Sequence, residues 1–129
     1  MAALHSGCWF LADYIERFEC EFATFREAEF GIATSNGTTA IQVALAAIGI
    51  RPGDEVIVPA YTFIAPDSAV VATGVIPVFA DIGPDTYSID IDPASAEAAI
   101  TERTIAIIGV HIAGRPCLPR RARLAGRTL

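Results

Sequence analysis

Short blocks of apolar residues alternate with polar segments along the chain, and their spacing predicts strands and helices in turn. Runs of alternating or β-branched apolar residues predict strands at residues 30–32, 55–58, 75–80 and 104–110. Apolar positions three and four apart predict helices at residues 9–29, 36–48, 61–72 and 94–100. Because the two types of element alternate with short connections, the sequence predicts an α/β fold with three layers. A mostly parallel sheet would carry helices on both faces.

The segment from Phe30 to Ile41 contains the most informative turn, in which a strand is predicted to lead into a helix. Ser35 and Asn36 are residues that cap helix starts, and Gly37 lets the backbone approach a ligand closely. A helix start carries unpaired N–H groups and about half a positive charge, so it suits a phosphate. The alternative is a capped connection without a ligand, because the turn matches neither a P-loop nor Gly-x-Gly-x-x-Gly.

Other polar residues fall at the predicted carboxyl ends of strands, where ligands bind in sheets of this type. They are Ser35 to Thr39, Ala60 to Phe63, Asp81 and His111. His111 could act as a general base, but a histidine that ends a buried strand more often has a hydrogen-bonded structural role. No residue is therefore predicted to be catalytic, and no spacing of Cys or His predicts a metal site.

Composition and charge exclude several classes of protein. The chain has 129 residues, of which 53% are hydrophobic and 19% charged, as in a globular domain. Residues 1–114 hold all fifteen carboxylates and four arginines, a net charge of −11 that argues against nucleic acid as a partner. No apolar run reaches the roughly 20 residues of a membrane span. With three scattered cysteines and no predicted signal peptide, we expect a cytoplasmic protein.

Several motifs occur in a fixed order: Ser35-Asn36-Gly37-Thr38, Gly49 to Pro59, Thr62-Phe63, Pro77 to Asp81, and Val110 to Gly114. In this order they closely resemble the N-terminal part of the DegT/StrS sugar aminotransferases, which are fold-type I pyridoxal-phosphate enzymes. The resemblance covers roughly residues 8–116. It implies a partial large domain of such an enzyme, with an N-terminal helical segment at residues 1–29 and the domain proper continuing to residue 114.

The resemblance also implies roles for individual residues. Asn36, Gly37 and Thr38 would bind the phosphate of pyridoxal 5'-phosphate, and Phe63 would stack on its pyridine ring. Tyr61 and Thr62 are neighbours of this pocket in the sequence. Asp81 is not the carboxylate that pairs with the pyridine nitrogen, since the family has that residue further along its chain, so Asp81 is expected to be structural.

The family reaction, as the resemblance implies it, moves an amino group from an amino acid such as glutamate to a keto-sugar nucleotide. Such enzymes serve amino-sugar and polysaccharide biosynthesis and form homodimers. The reaction needs a lysine amine that attaches to the cofactor, and the 129 residues contain no lysine. We therefore expect a fragment that is inactive alone and that cannot hold the cofactor covalently.

The last fifteen residues depart from the family pattern, because they carry five arginines and no acid. This change of composition suggests translation of a GC-rich gene in a shifted frame, so residues 115–129 are predicted to lie outside the fold. A genuine short basic tail is the alternative. For the chain as a whole, the alternative function is a non-catalytic module that binds a phosphorylated ligand or docks on a full-length subunit. Docking would use an aromatic face of the predicted helix, which consists of Tyr14, Phe18, Phe22 and Phe25.

Overall fold

A computed structural model describes residues 5, 7, 13–83, 92–111 and 114 of the chain. Its contacts divide the chain into two compact units, Met1–Asn36 and Gly37–Leu129. The prediction for the tail, residues 115–129, lies outside the described residues. So does the part of the N-terminal helix predicted at residues 9–12.

The first unit contains the helix α1 (Asp13–Phe25). The predicted aromatic stripe lies on this helix, and Phe18 and Phe22 stack with ring centroids 5.6 Å apart. All four stripe residues are nevertheless exposed to solvent. The helix was therefore predicted correctly, whereas the first unit alone does not bury its apolar face.

The strand predicted at residues 30–32 is wrong. Residues 30–34 form no strand, and Phe30 and Ile32 are 75% and 74% exposed. A strand requires hydrogen bonds to a neighbouring strand, and no such neighbour exists among the described residues. Two contacts to α1 hold this segment instead. The Ala33 N–H donates to Glu19 Oε1 at 2.7 Å, and Gly31 lies against the Glu19 backbone.

The second unit alternates helices and strands as predicted. Its elements are α2 (Gly37–Ala47), β1 (Glu55–Pro59), α3 (Ala65–Ala72), β2 (Ile76–Ala80), α4 (Pro93–Ala98) and β3 (Thr104–Ile107). The strands form one sheet in the order β2-β1-β3, and both pairings are parallel. Among the described strands β2 thus lies at an edge of the sheet, which is the position expected from its Pro77.

Apolar residues pack on both faces of this sheet. Val56 and Val58 of β1 lie in one buried cluster with Leu45 of α2 and Val70 of α3. Ile57, between them in sequence, lies in a second cluster with Ala96 of α4. Successive side chains of a strand point to opposite faces, so α2 and α3 cover one face and α4 covers the other. The predicted α/β fold with three layers and a parallel sheet is confirmed.

Element boundaries agree with the sequence where a local signal marks them. Gly49 ends α2 with a φ of +77°, a conformation that glycine adopts without strain. Asp92 caps α4, since its Oδ2 accepts a hydrogen bond from Ser95 N at 3.2 Å. Several predicted elements are too long, among them the first helix, which ends at Phe25 rather than Glu29. α3 begins at Ala65 rather than Tyr61, and β3 ends at Ile107 rather than Val110.

A buried carboxylate joins the start of β1 to the connection that precedes β3. Glu55 is buried, and it accepts a hydrogen bond of 2.5 Å from the Thr101 hydroxyl. Its carboxylate also pairs with Arg103, whose side chain is mostly exposed. A buried charge is costly unless it is paired and hydrogen-bonded, and here it is both. These contacts fix the amino-terminal edge of the sheet, opposite to the edge considered below.

Candidate functional site

The start of α2 and the end of β1 lie at the same edge of the sheet. α2 packs on the sheet through Ile41 and Leu45, and residues 48–54 connect its end to the start of β1. β1 then runs back along the helix, so its carboxyl end at Pro59 meets the start of α2. The connection from β1 to α3 leaves the sheet at this edge too. The predicted site residues Gly37, Thr38 and Phe63 are therefore brought to one edge.

The phosphate-binding residues predicted from the sequence surround the first turn of α2. Gly37 is the first helical residue, and nothing lies within 4 Å of the position that a Cβ would occupy there. Thr38 follows it and is half-buried. An open backbone at a helix start, followed by a hydroxyl, can bind an anion through N–H and O–H groups. The anion site at Gly37 and Thr38 stays a prediction, and these two features are consistent with it.

Asn36 directly precedes the first helical residue and belongs to the first unit. Its side chain donates from Nδ2 to the Ser35 Oγ at 3.2 Å. Its carbonyl oxygen accepts a hydrogen bond of 3.0 Å from the Thr34 hydroxyl. Residues 34–36 are therefore joined by hydrogen bonds of their own polar side chains.

Phe63 lies in the connection between β1 and α3 and is 73% exposed. An aromatic residue in that state presents its ring to solvent instead of contributing to the core. Next to it, the Oγ1 atom of Thr62 is buried and has no hydrogen-bond partner in the described part of the chain. A buried hydroxyl without a partner is costly, and a bound polar ligand would offset that cost. The exposed ring of Phe63 and the hydroxyl of Thr62 together suit a flat heteroaromatic ligand.

Asp67 is a feature of this edge that the sequence analysis missed. It lies in the first turn of α3, and its Oδ1 atom is buried without a hydrogen-bond partner among the described residues. Burial raises the pKa of the Asp67 carboxyl above its ordinary value. An aspartate directly after Pro66 could have indicated the first turn of a helix, where both types are common. No sequence signal would have shown that one of its oxygens is buried.

Asp81 and His111 also lie beyond the ends of strands. The Asp81 N–H donates to Ser95 Oγ at 2.8 Å, and its carboxylate accepts from the N–H of Ile82. Asp81 thus joins the end of β2 to α4, as a structural residue would. His111 is exposed and follows β3 by several residues, so it does not end a buried strand as predicted. Its carbonyl accepts a hydrogen bond from Gly114 N.

Two further kinds of site were sought in the part of the chain that the structure describes. No group of three or more His, Cys, Asp or Glu residues there could hold a metal ion. No helix within the same residues is long and apolar enough to cross a membrane.

Comparison with known proteins identifies the family. The model of the DegT/DnrJ/EryC1/StrS aminotransferase family matches residues 1–125. The chain therefore belongs to the DegT/DnrJ/EryC1/StrS aminotransferase family, as the resemblance of its motifs predicted. It is an N-terminal portion of the fold of these enzymes, and the three parallel strands with their helices form part of a fold-type I aminotransferase domain.

Two curated relatives illustrate the similarity. The chain is 46% identical over 112 residues to a pleiotropic regulatory protein of Geobacillus stearothermophilus, and the match covers 87% of this chain and 30% of the relative. It is 44% identical over 112 residues to the 3-oxo-glucose-6-phosphate:glutamate aminotransferase of Bacillus subtilis, with 87% of this chain and 25% of that protein covered. The chain thus spans between a quarter and a third of the length of these relatives.

Solved structures agree with the sequence comparison. DesV of S. venezuelae, solved in complex with a ketimine intermediate, is 43% identical with a TM-score of 0.81. The match covers 89% of this chain and 30% of that one. NtdA of Bacillus subtilis, solved with bound cofactor PMP, is 43% identical with a TM-score of 0.78, and 86% of this chain and 25% of that one are covered. Members of the family therefore bind pyridoxal phosphate or its amine form.

The residues at the carboxyl edge fit such a cofactor on three observations of this structure. The backbone at Gly37 is open, Phe63 is exposed, and the Thr62 hydroxyl is buried without a partner within the described residues. Open backbone N–H groups match the phosphate, the phenyl ring matches the flat pyridine ring, and the hydroxyl matches a polar substituent.

Proposed function

We propose that this chain supplies the phosphate- and ring-binding part of the cofactor pocket of a sugar aminotransferase. The observation that supports the proposal is that the open helix start at Gly37 and the exposed Phe63 both belong to connections at the carboxyl edge of the sheet. In the whole enzyme the reaction would transfer an amino group from an amino-acid donor to a keto-sugar nucleotide. The aminotransferase of Bacillus subtilis, whose name gives glutamate and a keto-sugar phosphate, supports an amino-acid donor and a keto-sugar acceptor.

Each residue of the proposed pocket would contribute a particular group. The backbone N–H groups at Gly37, where α2 begins, and the Thr38 hydroxyl would donate hydrogen bonds to the phosphate, and Asn36 would bind it as well. The ring of Phe63 would stack on the pyridine and exclude water from one of its faces. When bound, pyridoxal phosphate supplies an electron sink for bonds at the amino-bearing carbon.

These 129 residues would bind the cofactor without making it react. They contain no lysine, and transamination on this cofactor uses a lysine amine for attachment and for proton movement. We therefore propose that the chain is inactive alone and that the missing amine belongs to sequence that these residues do not include. Turnover of any amino donor by the 129-residue chain alone would contradict this proposal.

Binding of pyridoxal phosphate, measured by isothermal titration calorimetry, tests the pocket. Thr38→Val removes a hydroxyl that would donate to a charged group, and we expect the dissociation constant to rise about ten-fold or more. Phe63→Ala removes the ring, and we expect a rise of about five-fold. The matched control is Phe25→Ala, because Phe25 of α1 is similarly exposed and should not affect binding.

The same titration has outcomes that count against the pocket. A wild-type chain that does not bind pyridoxal phosphate at millimolar concentration would contradict the proposal. So would equal effects of the Phe63 and Phe25 substitutions.

A non-catalytic module that binds phosphorylated ligands is the second candidate, favoured by the open start of α2 alone. The two candidates differ in what Phe63 does. In a general phosphate module, glucose 6-phosphate and pyridoxal phosphate bind alike, and Phe63→Ala weakens neither. In the cofactor pocket, pyridoxal phosphate binds more tightly, and only its binding depends on Phe63.

Domain boundaries and assembly also belong to the proposal. We propose that residues 1–114 form the partial large domain, that residues 115–129 are not part of the fold, and that the whole enzyme is a homodimer. Reading the coding DNA after Gly114 in its two other frames tests the boundary. An aminotransferase-like continuation in either frame supports it, and its absence in both supports a genuine basic tail.

A further inference from the structure

One carboxylate of α1 contacts the segment that leads into the phosphate-binding turn. Glu19 is half-buried, and its Oε1 atom accepts a hydrogen bond from Ala33 N at 2.7 Å. This contact joins residues fourteen positions apart in the sequence. It is a short hydrogen bond from the backbone to a side-chain oxygen.

A second contact brings the same two parts of the first unit together. A Cβ added at Gly31 would lie 2.5 Å from the carbonyl oxygen of Glu19, a distance that no side chain tolerates. The backbone of residue 31 therefore lies directly against the backbone of α1. Only a glycine permits this approach, and Gly31 has no positive φ that would explain it otherwise.

No sheet hydrogen bonds hold this segment among the described residues. Residues 30–34 form no strand, so the position of their backbone depends on the contacts to α1. After Ala33, the Thr34 hydroxyl bonds to the carbonyl oxygen of Asn36, and the Asn36 amide bonds to Ser35. A continuous series of contacts thus runs from Glu19 to Asn36, entirely within the first unit.

We propose that Glu19 is a positioning residue for the phosphate-binding turn, which it orients by holding Ala33. The inference rests on the proposed function, because it assigns Asn36 to the site that binds the cofactor phosphate. Glu19 would not contact the phosphate itself. Its role is to fix the backbone from which Ser35 and Asn36 extend.

The chain offers a graded set of variants to test this role. Glu19→Ala removes the acceptor, whereas Glu19→Gln keeps an amide oxygen that can still accept from Ala33 N–H. Glu21→Ala is the matched control, since Glu21 lies on the same helix, carries the same charge and forms an exposed ion pair with Arg17. Circular dichroism would first confirm that each variant retains its helices.

Two measurements on the full chain decide the proposal. Amide hydrogen exchange at residues 33–36, without ligand, is expected to speed up in Glu19→Ala and to stay as in wild type for Glu19→Gln and Glu21→Ala. The dissociation constant for pyridoxal phosphate is expected to rise about five-fold in Glu19→Ala alone. The affinity for pyridoxal, which has no phosphate, should not change.

The possible failures are distinguishable. A wild-type chain that does not bind pyridoxal phosphate contradicts the proposed function, and the exchange measurement then decides the role of Glu19 by itself. Unchanged exchange at residues 33–36 in Glu19→Ala overturns the positioning role. Equal loss of affinity for pyridoxal phosphate and pyridoxal overturns it as well, because a general loss of structure would affect both ligands.

Discussion

The two units of this chain differ in how far they bury their apolar side chains. In the second unit, Val56, Ile57 and Val58 are completely buried between helices on both faces of the sheet. In the first unit, α1 has an equally regular apolar stripe, yet Phe18 and Phe22 remain exposed and stack on each other. Periodicity therefore predicts an element, but burial depends on whether a partner for that element is present.

This difference has a consequence for stability. Burying apolar area is the main source of folding free energy, so the second unit contains most of the stabilising contacts of the described residues. The exposed face of α1 contributes little until another surface covers it. Large exposed apolar patches commonly mark sites of interaction, and the docking of this face on a subunit stays a prediction.

Truncation of a core residue should give the largest effect. Ile57 is completely buried on the central strand, and we expect Ile57→Ala to lower the free energy of unfolding by about 3 kcal/mol. Phe22→Ala removes a larger side chain from α1 and should cost less than about 1 kcal/mol, because the ring is already half exposed. Urea denaturation of both variants measures the difference.

An equal loss of stability in the two variants would contradict the contrast between the units. It would mean that the aromatic face of α1 is buried in solution, for example by self-association. Repeating the denaturation at several protein concentrations would identify that case, since the stability of an associated form depends on concentration.

The loss of a buried polar contact should give the next largest decrease in the free energy of unfolding. Thr101→Val keeps the shape of the side chain but removes the hydroxyl that donates to the buried Glu55 carboxylate. We expect a loss of about 2 kcal/mol in the free energy of unfolding, since hydrogen bonds to buried charged groups are the costly ones to lose. Thermal unfolding, followed by circular dichroism, would measure it.

The matched polar contact in the first unit is the ion pair between Arg17 and Glu21, which is exposed on both sides. Glu21→Gln should change stability by no more than about 0.5 kcal/mol, because exposed pairs one helical turn apart contribute little. If Thr101→Val lowered the free energy of unfolding as little as Glu21→Gln, another group would have to donate a hydrogen bond to the Glu55 carboxylate. The contrast between buried and exposed polar contacts would then be weaker than the structure indicates.

Local signals in the sequence predicted most of the second unit. Gly49 marks the end of α2 and Asp92 the start of α4, and both act on their own backbone within a few residues. The parallel order of strands followed from the alternation of strands with helices. By contrast, the strand at residues 30–32 was wrong because a strand is defined by its neighbour, and alternation of residue types cannot show whether one exists.

The site was predictable in part for the same reason. Residue types at a helix start indicated an anion site at Gly37 and Thr38, and the resemblance to a family added the ring-binding role of Phe63. The contact between Glu19 and Ala33 joins residues far apart in the sequence, and no local sequence pattern predicts it. The buried atoms of Thr62 and Asp67 depend in the same way on packing between elements.

The smallest expected effect concerns Asp67 and depends on pH. Burial raises the pKa of its carboxyl from the ordinary value of 3.8, so the folded state holds the proton more tightly than the unfolded state does. Stability is therefore lost as the pH rises from 3.8 through the raised pKa, and the loss persists at higher pH. Asp67→Asn carries no ionisable group, and it should be slightly more stable than wild type at pH 7.

Thermal unfolding at several pH values tests this prediction. The stabilisation by Asp67→Asn should disappear below about pH 3, where the wild-type carboxyl is protonated in both states. Asp13→Asn makes the same change in the first turn of α1, where the side chain is exposed, and it should give no stabilisation at any pH. A stabilisation by Asp67→Asn that grows as the pH falls would contradict the raised pKa. It would also mean that Asp67 is not a buried polar group, and one difference between the two units would be lost.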